Sequence, residues 1–397
     1  MSILQSASEV LFWICAAPIV YAYGCYPVII WCLARCFGRR AQAPAGPAGE
    51  WPSLSLLVVA HNEEAVIEDR IQNALAMDYP PERLEVVVAS DGSSDGTTEV
   101  VRRFQGQGVR LLDYAERRGK AAVINAAMTE LKGDIVLLSD ANTRIDPAAA
   151  RKLVRWFGDP AVGAVCGQVI LIGSETGQNV DNLYWTYETY LKEHEARLGG
   201  LLGANGAIYA LRRDLYVPVP DGTIVDDFVI PLLAKLRTGC RIVFDGEALA
   251  REEISPSLYA EFRRRARLGA GGYQSLRTLY PLLSPRRGWV AFTLFSHKVL
   301  RWLGPFFLIG MLGTSALLSD REPYRALLWG QLGFYGLSLL GLLLPGRLKV
   351  LRLLLLATLF TGLNVAFLVG FWRWLWGRHD GTWVPTPRSV EVPGVPP

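Results

Sequence analysis

Between residues 53 and 250 the apolar positions change period repeatedly. "LSLLVVA" (54–60) is a continuous apolar run of strand length, and "NEEAVIEDRIQNALAM" after it has helical spacing. "LEVVVAS" (84–90) predicts a second strand and "DGTTEVVRRFQ" the start of a second helix. "VRLLDY", "KAAVINAAMTELK" and "DIVLLSD" (134–140) repeat the alternation. Short buried strands alternating with helices predict an α/β domain with a mostly parallel sheet covered on both faces.

Long apolar runs flank this domain. Residues 9–37 hold only Glu9 at the start and Arg35 near the end as charges, and suffice to cross about 30 Å of hydrocarbon. With no basic leader and no small-residue cleavage site, this run is expected to be an anchor rather than a removed signal peptide. Three further runs lie near 299–318, 324–345 and 350–372. The expected organisation is therefore a transmembrane helix (1–40), a Pro/Gly/Ala linker (41–52) and a catalytic domain (53–250). Arg-rich interface helices (251–298), a transmembrane region of about three segments (299–376) and a tail (377–397) follow.

Composition agrees: 51% of the 397 residues are hydrophobic, and the mean hydropathy of +0.22 is too high for an ordinary soluble protein. Arg35, Arg39 and Arg40 put the middle domain on the cytosolic side of a cell (inner or plasma) membrane. Arg347, Lys349 and Arg352 put the last link there too. Arg373, Arg378 and Arg388 then conflict with four straight crossings, so one run is expected to be interfacial or re-entrant.

The net charge of +4 excludes little. Residues 251–287 concentrate eight arginines against three glutamates, which beside a membrane points to anionic lipid headgroups. No aromatic-studded basic module accompanies them, so nucleic acid is not an expected partner. The six cysteines form no Cys-x-x-Cys pair, which disfavours zinc and structural disulfides.

In parallel sheets, ligands gather where the strands' C-terminal ends meet the next loops. Those loops are "HNEE", "SDGSSDGT" and "SDANT". Each alone has a local reading: Asn62 as a helix N-cap with Glu64 in the first turn, Asp95 as another cap. Three acidic loops on one edge point instead to a ligand. The Gly-x-Gly-x-x-Gly fingerprint and the P-loop are absent, which disfavours NAD and FAD. An acidic edge takes a cation or hydrogen-bond donors. A diphosphate joins only through a divalent metal, with Asp140 and Asn142 as hard-oxygen ligands.

"VVAHNEE", "VVVASDGSSDGT", "RGKAAVINAAM" and "LLSDANT" resemble, in order and spacing, the signatures of the family-2 glycosyltransferases with the GT-A fold. "GANGAIYALRR", "IVDDFVIPLLAKLRTGCRIVF", "FRRRARLGAGGYQ" and "SHKVLRWLGPF" extend the resemblance to the membrane-integrated bacterial members related to cellulose, chitin and hyaluronan synthases. It covers residues 53 to about 306.

The resemblance implies roles. Asp91 would contact the nucleobase, with His61 and Glu63 lining the same pocket. Lys120 would lie near the nucleotide, supported by Asn125. Asp140, Ala141 and Asn142 stand where the family has Asp-x-Asp, holding Mg²⁺ or Mn²⁺; Asn at the third position removes one charge. Asp227 of "VDDF" stands at the catalytic aspartate, taking the acceptor hydroxyl's proton, a contribution of roughly 10²–10⁴-fold. Asp226 would position, and Asn205 and Gly206 of "GANGAIY" would shape the acceptor and diphosphate region. "RRARL" replaces the family's Gln-x-x-Arg-Trp. Arg267 keeps the cation suited to a diphosphate, beside Arg264 and Arg265, but the stacking tryptophan is gone. "GTWVPTPR" resembles the family's Trp-to-Arg segment after the last spans. His194, between Glu193 and Glu195, is expected on a solvated helix face, and His297 and His379 lack metal spacing.

The activity implied is inverting, metal-dependent transfer from a nucleotide sugar, a UDP-sugar first, to a growing polysaccharide or lipid-linked acceptor. The alternatives are transfer of one sugar to a lipid and a non-catalytic nucleotide-sugar-binding subunit of an export complex. An oligomer or separate exporter would complete a secretion path that few spans cannot form alone.

Overall fold

The computed structural model describes residues 3–39, 42–46, 49–172, 178–253, 258–343 and 352–377. The expectations placed on Arg40, Arg347, Lys349, Arg378, His379, Arg388 and "GTWVPTPR" fall outside these residues.

Among the described residues the sheet has eight strands: β1 Leu54–Ala60, β2 Leu84–Asp91, β3 Val109–Tyr114, β4 Ile135–Asp140, β5 Arg144–Ile145, β6 Val162–Ile172, β7 Tyr209–Arg212 and β8 Arg241–Glu253. Their order is β3-β2-β1-β4-β7-β6-β8-β5. β3, β2, β1 and β4 are parallel, β7 is antiparallel to both neighbours, and β6 pairs with β8 in parallel. The expected mostly parallel sheet is present.

The helices in chain order are α1 Ile3–Val20, α2 Tyr26–Cys36, α3 Glu64–Leu75, α4 Thr97–Arg103, α5 Lys120–Met128, α6 Ala149–Val154 and α7 Gln178–Arg197. They continue with α8 Asp226–Thr238, α9 Leu258–Leu279, α10 Trp289–Thr293, α11 Leu300–Trp302, α12 Gly304–Leu317, α13 Glu322–Leu343 and α14 Arg352–Leu375. The period-2 geometry of β1 divides its side chains between two cores. Leu54, Leu56 and Val58 pack with Ile67 and Ile71 of α3 on one face. Leu57 and Val59 pack with Val123 and Ile124 of α5 and Val229 and Ile230 of α8 on the other. Every residue of β1 is buried, which is why its sequence is apolar without alternation.

Among the described residues, three helices are long and apolar enough to cross a membrane: Gln5–Cys36, Glu322–Leu343 and Leu354–Leu375. The first is α1 and α2 joined through a π-turn at Tyr21–Cys25. The run expected at 299–318 is the irregular one: Trp289–Trp302 and Gly304–Leu317 meet at 55°, and count as a fourth candidate only if the bent pair is one span. The break falls at Leu303, just before Gly304 and Pro305, where proline removes a helix donor. α12 returns to the first turns of α1. There Phe12 stacks edge-on against Tyr324 at 5.2 Å between ring centroids, and Arg321 pairs with Glu9. At its other end, the first candidate span is tied to the end of α7 by Arg39 N–H donating to the Arg197 carbonyl at 2.9 Å.

Candidate active site

The C-terminal ends of β1, β2 and β4 converge as expected, and their loops are bound to one another. Asp95 accepts from the N–H groups of both Thr97 and Glu64, at 3.1 Å each, so one carboxylate serves the first turns of α4 and α3. Glu64 returns a bond by accepting from Gly96 N–H at 3.0 Å. Asn62 does not cap α3 as the sequence suggested. Its backbone is left-handed, at φ 54°, and its side-chain oxygen accepts from Ser94 N–H at 2.8 Å. Asparagine tolerates that conformation, and the turn uses its amide across the loop pair instead.

Asp91 is fully buried at the end of β2. Its two oxygens accept from Arg118 N–H at 2.6 Å and Gly119 N–H at 3.0 Å, fixing the turn that leads into Lys120. Gly92, at φ 60°, passes so close that a Cβ would lie 2.6 Å from Arg117 N. His61 Nδ1 lies 2.6 Å from the Asp91 carbonyl oxygen. Asn125 binds the Val219 backbone through both amide atoms and accepts from the Tyr216 hydroxyl at 2.6 Å. Thus His61, Asp91 and Asn125 build walls behind the site, whereas Glu63, Lys120, Asp140, Ala141 and Asn142 line a cavity of about 400 Å³.

The same cavity takes in Asn205, Gly206, Asp226, Asp227, Arg264, Arg265 and Arg267. Lys120 Nζ lies 2.7 Å from Asp140 Oδ1 and 3.3 Å from Asp226 Oδ2. Burial works against the Lys120 ammonium, but Asp140 and Asp226 outweigh it and raise its pKa, so it stays charged. Asp227 Oδ2 accepts from Gly206 N–H at 2.9 Å, and its Oδ1 from Phe228 N–H at 2.9 Å. "DD" thus opens α8, where acidic residues suit the helix N-terminus, and also faces the cavity. Burial, then the neighbouring Asp226 charge, push the Asp227 carboxyl up to about 6, against the pull of Lys120.

Several lining residues were not singled out from sequence. Glu252, near the end of β8, accepts from the Thr143 hydroxyl at 2.8 Å and is pushed up to about 7 by burial and by Asp140. Its "REE" context reads as part of the arginine-rich stretch; only the register of β8 beside β5 brings it to Asp140. Arg70 of α3 is buried behind β4, its Nε 3.4 Å from the Asp140 carbonyl oxygen. Glu188, Lys192, His297, Lys298 and Arg301 line the cavity on the side of the apolar helices. His194 is buried rather than solvated: its Nδ1 lies 2.7 Å from the Tyr190 carbonyl oxygen and its ring packs on Tyr190.

On α9, Glu261 holds Arg264 (2.8 and 3.0 Å) and Arg265 (2.6 Å), which turns their guanidinium groups to fixed orientations. Burial opposes ionisation of Glu261, but the two arginines hold it down at about 2. Burial, with Arg264 beside it, lowers the Arg267 pKa.

Residues 55–217 match the family described as Glycosyl transferase family 2. Poly-beta-1,6-N-acetyl-D-glucosamine synthase of Staphylococcus aureus is 26% identical over 246 residues, 60% of this chain and 59% of that protein. Beta-monoglucosyldiacylglycerol synthase of Synechocystis is 27% identical over 274 residues, 64% of this chain and 55% of that protein. The matches therefore span less than two thirds of either relative's length. Among solved structures, the mannosyltransferase PcManGT of Pyrobaculum calidifontis, in complex with GDP-Man and Mn²⁺, aligns with a TM-score of 0.70. It covers 93% of this chain and 99% of that one at 22% identity, a likeness that shows the fold. Residues 55–217 thus match glycosyl transferase family 2 and lie in a GT-A fold that is joined, among the described residues, to helices long and apolar enough to cross a membrane.

Proposed function

We propose that the protein is a membrane-bound inverting glycosyltransferase that moves a sugar from a nucleotide sugar, a UDP-sugar first, to an acceptor at the cytosolic membrane face. The observation that carries this reading is Asp227. Its carboxylate is fixed by Gly206 N–H, lines the cavity, and is raised to about 6 by burial and Asp226. A general base works best with a pKa close to the working pH. As the acceptor oxygen bonds to the anomeric carbon, its proton passes to Asp227 and the bond from that carbon to the diphosphate oxygen breaks. A single displacement from the opposite face inverts the configuration.

A divalent cation fits the donor set. Among the described residues no three Asp, Glu, His or Cys side chains converge to hold a metal by themselves. Mg²⁺ and Mn²⁺ sites in nucleotide enzymes commonly use one or two protein oxygens with substrate phosphates and water. Asp140 and Asn142 would supply the protein oxygens, and the buried Asp226 Oδ2, which accepts no hydrogen bond and has Lys120 Nζ at 3.3 Å as its ion pair, adds negative charge nearby. Such a metal neutralises charge on the leaving diphosphate. Arg264, Arg265 and Arg267 offer further positive charge along the same cavity.

The acceptor is a growing polysaccharide or a lipid-linked sugar. Leu363 and Phe367 of α14, within a candidate span, wall the cavity and favour the lipid-linked reading. The test is a donor screen on purified protein in detergent with Mn²⁺, reading nucleoside diphosphate release from UDP- and GDP-sugars. Release from one donor class supports the proposal; no release from any donor, with any acceptor, would move a non-catalytic nucleotide-sugar-binding role ahead.

A further inference from the structure

The cavity is bipolar. Its acidic end holds Asp140, Asp226 and Asp227, while the side built by α7 and the bent helix presents Lys192, Lys298 and Arg301. One carboxylate of the lining, Glu188, serves that cationic side. It accepts from Arg301 at 2.6 Å and from Lys298 at 3.3 Å, and His297 Nε2 lies 3.3 Å away. Lys192 is bound to a neutral partner, the Asn205 side-chain oxygen. Three permanent cations thus face one lining carboxylate. A second carboxylate, Glu195, lies behind His297 Nδ1 and takes the Tyr26 hydroxyl at 2.7 Å.

The segment is built to hold these groups in place. Leu294–Val299 is a π-turn, a form that recurs at functional sites. Arg301 stacks over the rings of Tyr23 and Tyr187 at 5.8 and 5.7 Å. Beside the cations, Trp302, Leu363 and Phe367 continue the cavity wall as apolar surface. A base, a cationic patch and an apolar wall therefore share one enclosed space.

Resting on the reading of Asp227 as base, we infer that the acceptor is a sugar joined to a lipid through a phosphodiester or diphosphate. Its sugar hydroxyl meets Asp227, its anionic linkage meets Lys192, Lys298 and Arg301, and its chain lies along Leu363 and Phe367. The nucleophile is the hydroxyl oxygen. Its bond to the anomeric carbon forms while the bond to the nucleoside diphosphate breaks, the proton goes to Asp227, and the electron pair leaves with the diphosphate. A neutral glycolipid or a free polysaccharide end offers these cations no charge-assisted hydrogen bond, a contact about twice as strong as a neutral one.

The experiment compares three synthetic acceptors with the same terminal sugar, each supplied with the donor found in the screen and Mn²⁺. One carries a short prenyl chain through a diphosphate, one carries the same chain through a neutral ether, and one is the sugar diphosphate without a chain. The diphosphate lipid is expected to exceed both others in kcat/KM by about tenfold or more. Lys298→Gln is expected to reduce its advantage over the ether by about tenfold, with Lys192→Gln as the second variant should Lys298→Gln not fold. Thermal protection by UDP and Mn²⁺, read in the same variants, separates loss of donor binding from loss of acceptor binding. Equal use of ether and diphosphate lipids, or an advantage unchanged in both variants, overturns the inference. Equal use of the chainless diphosphate overturns the lipid part of it. Absence of nucleoside diphosphate release with every acceptor overturns the underlying glycosyltransferase reading instead.

Discussion

Gly206 N–H donates to Asp227 Oδ2 at 2.9 Å, and the same glycine leaves room for Asp140. A Cβ at position 206 would stand 3.1 Å from Asp140 Oδ2 and 3.6 Å from Asp227 Oδ2. Gly206→Ala keeps the backbone donor and the Asp227 contact but moves the Asp140 carboxylate by a few tenths of an ångström. Since a 1 Å misplacement can cost about 100-fold, a fall of about tenfold in kcat is expected. The melting temperature should change little, because the site opens onto a cavity. Steady-state kinetics alongside a thermal melt check this.

Asp227 also links stability to pH. Its folded pKa of about 6 lies above the ordinary carboxylate value of 3.8, so the folded state binds the proton more tightly than the unfolded chain. The stability contribution is therefore greatest at low pH and is lost as pH rises from about 4 to about 6. With chelator present, wild-type stability minus that of Asp227→Asn should fall across this window by about 3 kcal/mol and stay level above it. The catalytic limb has the opposite sign. Activity should drop about tenfold per pH unit below about pH 6, where the base is protonated.

Asp91→Asn distinguishes a wall from a contact. The buried carboxylate accepts two backbone N–H groups, and an amide can accept only one while turning its own N–H₂ towards the other. A loss of about 2 kcal/mol in stability is expected from the donor left unsatisfied, together with a raised KM for the donor, because the turn carries Lys120. A role confined to touching the base would raise KM and leave the melt unchanged.

The first half of the sheet was legible because its strands are buried on both faces: 54–60, 84–90 and 134–140 emerge as Leu54–Ala60, Leu84–Asp91 and Ile135–Asp140. The break at Leu303 was not legible, because the run 299–318 is as apolar as its neighbours and only the Gly304–Pro305 pair marks it. What stayed hidden depends on tertiary approach. Glu188, Glu195, His297 and Arg301 lie as far as 113 residues apart and look like ordinary helix charges until α7 meets the bent helix. His194 was misread for the same reason: flanking glutamates suggest a wet face, but Tyr190 packs on its ring. Glu252 required the register of β8. The burial of Asp91 was not readable, because its partners are backbone groups that no side-chain pattern reveals.

Lys120 lies within reach of both Asp140 and Asp226. Lys120→Gln leaves those carboxylates facing each other in a partly enclosed site, and removing one partner of a buried pair costs about 3 kcal/mol. The variant should melt lower, regain part of that loss on adding Mn²⁺, and show donor turnover reduced by about 100-fold. Melting curves with and without Mn²⁺ check the first two outcomes.

The most direct test is sugar transfer by Asp227→Asn, measured against wild type at pH 7.5 with saturating donor and Mn²⁺, in protein shown to retain thermal protection by UDP and Mn²⁺. With Asp227 as the base, the turnover falls by roughly 10²–10⁴-fold while nucleotide binding persists. Turnover within twofold of wild type would contradict that role and assign proton removal to another group.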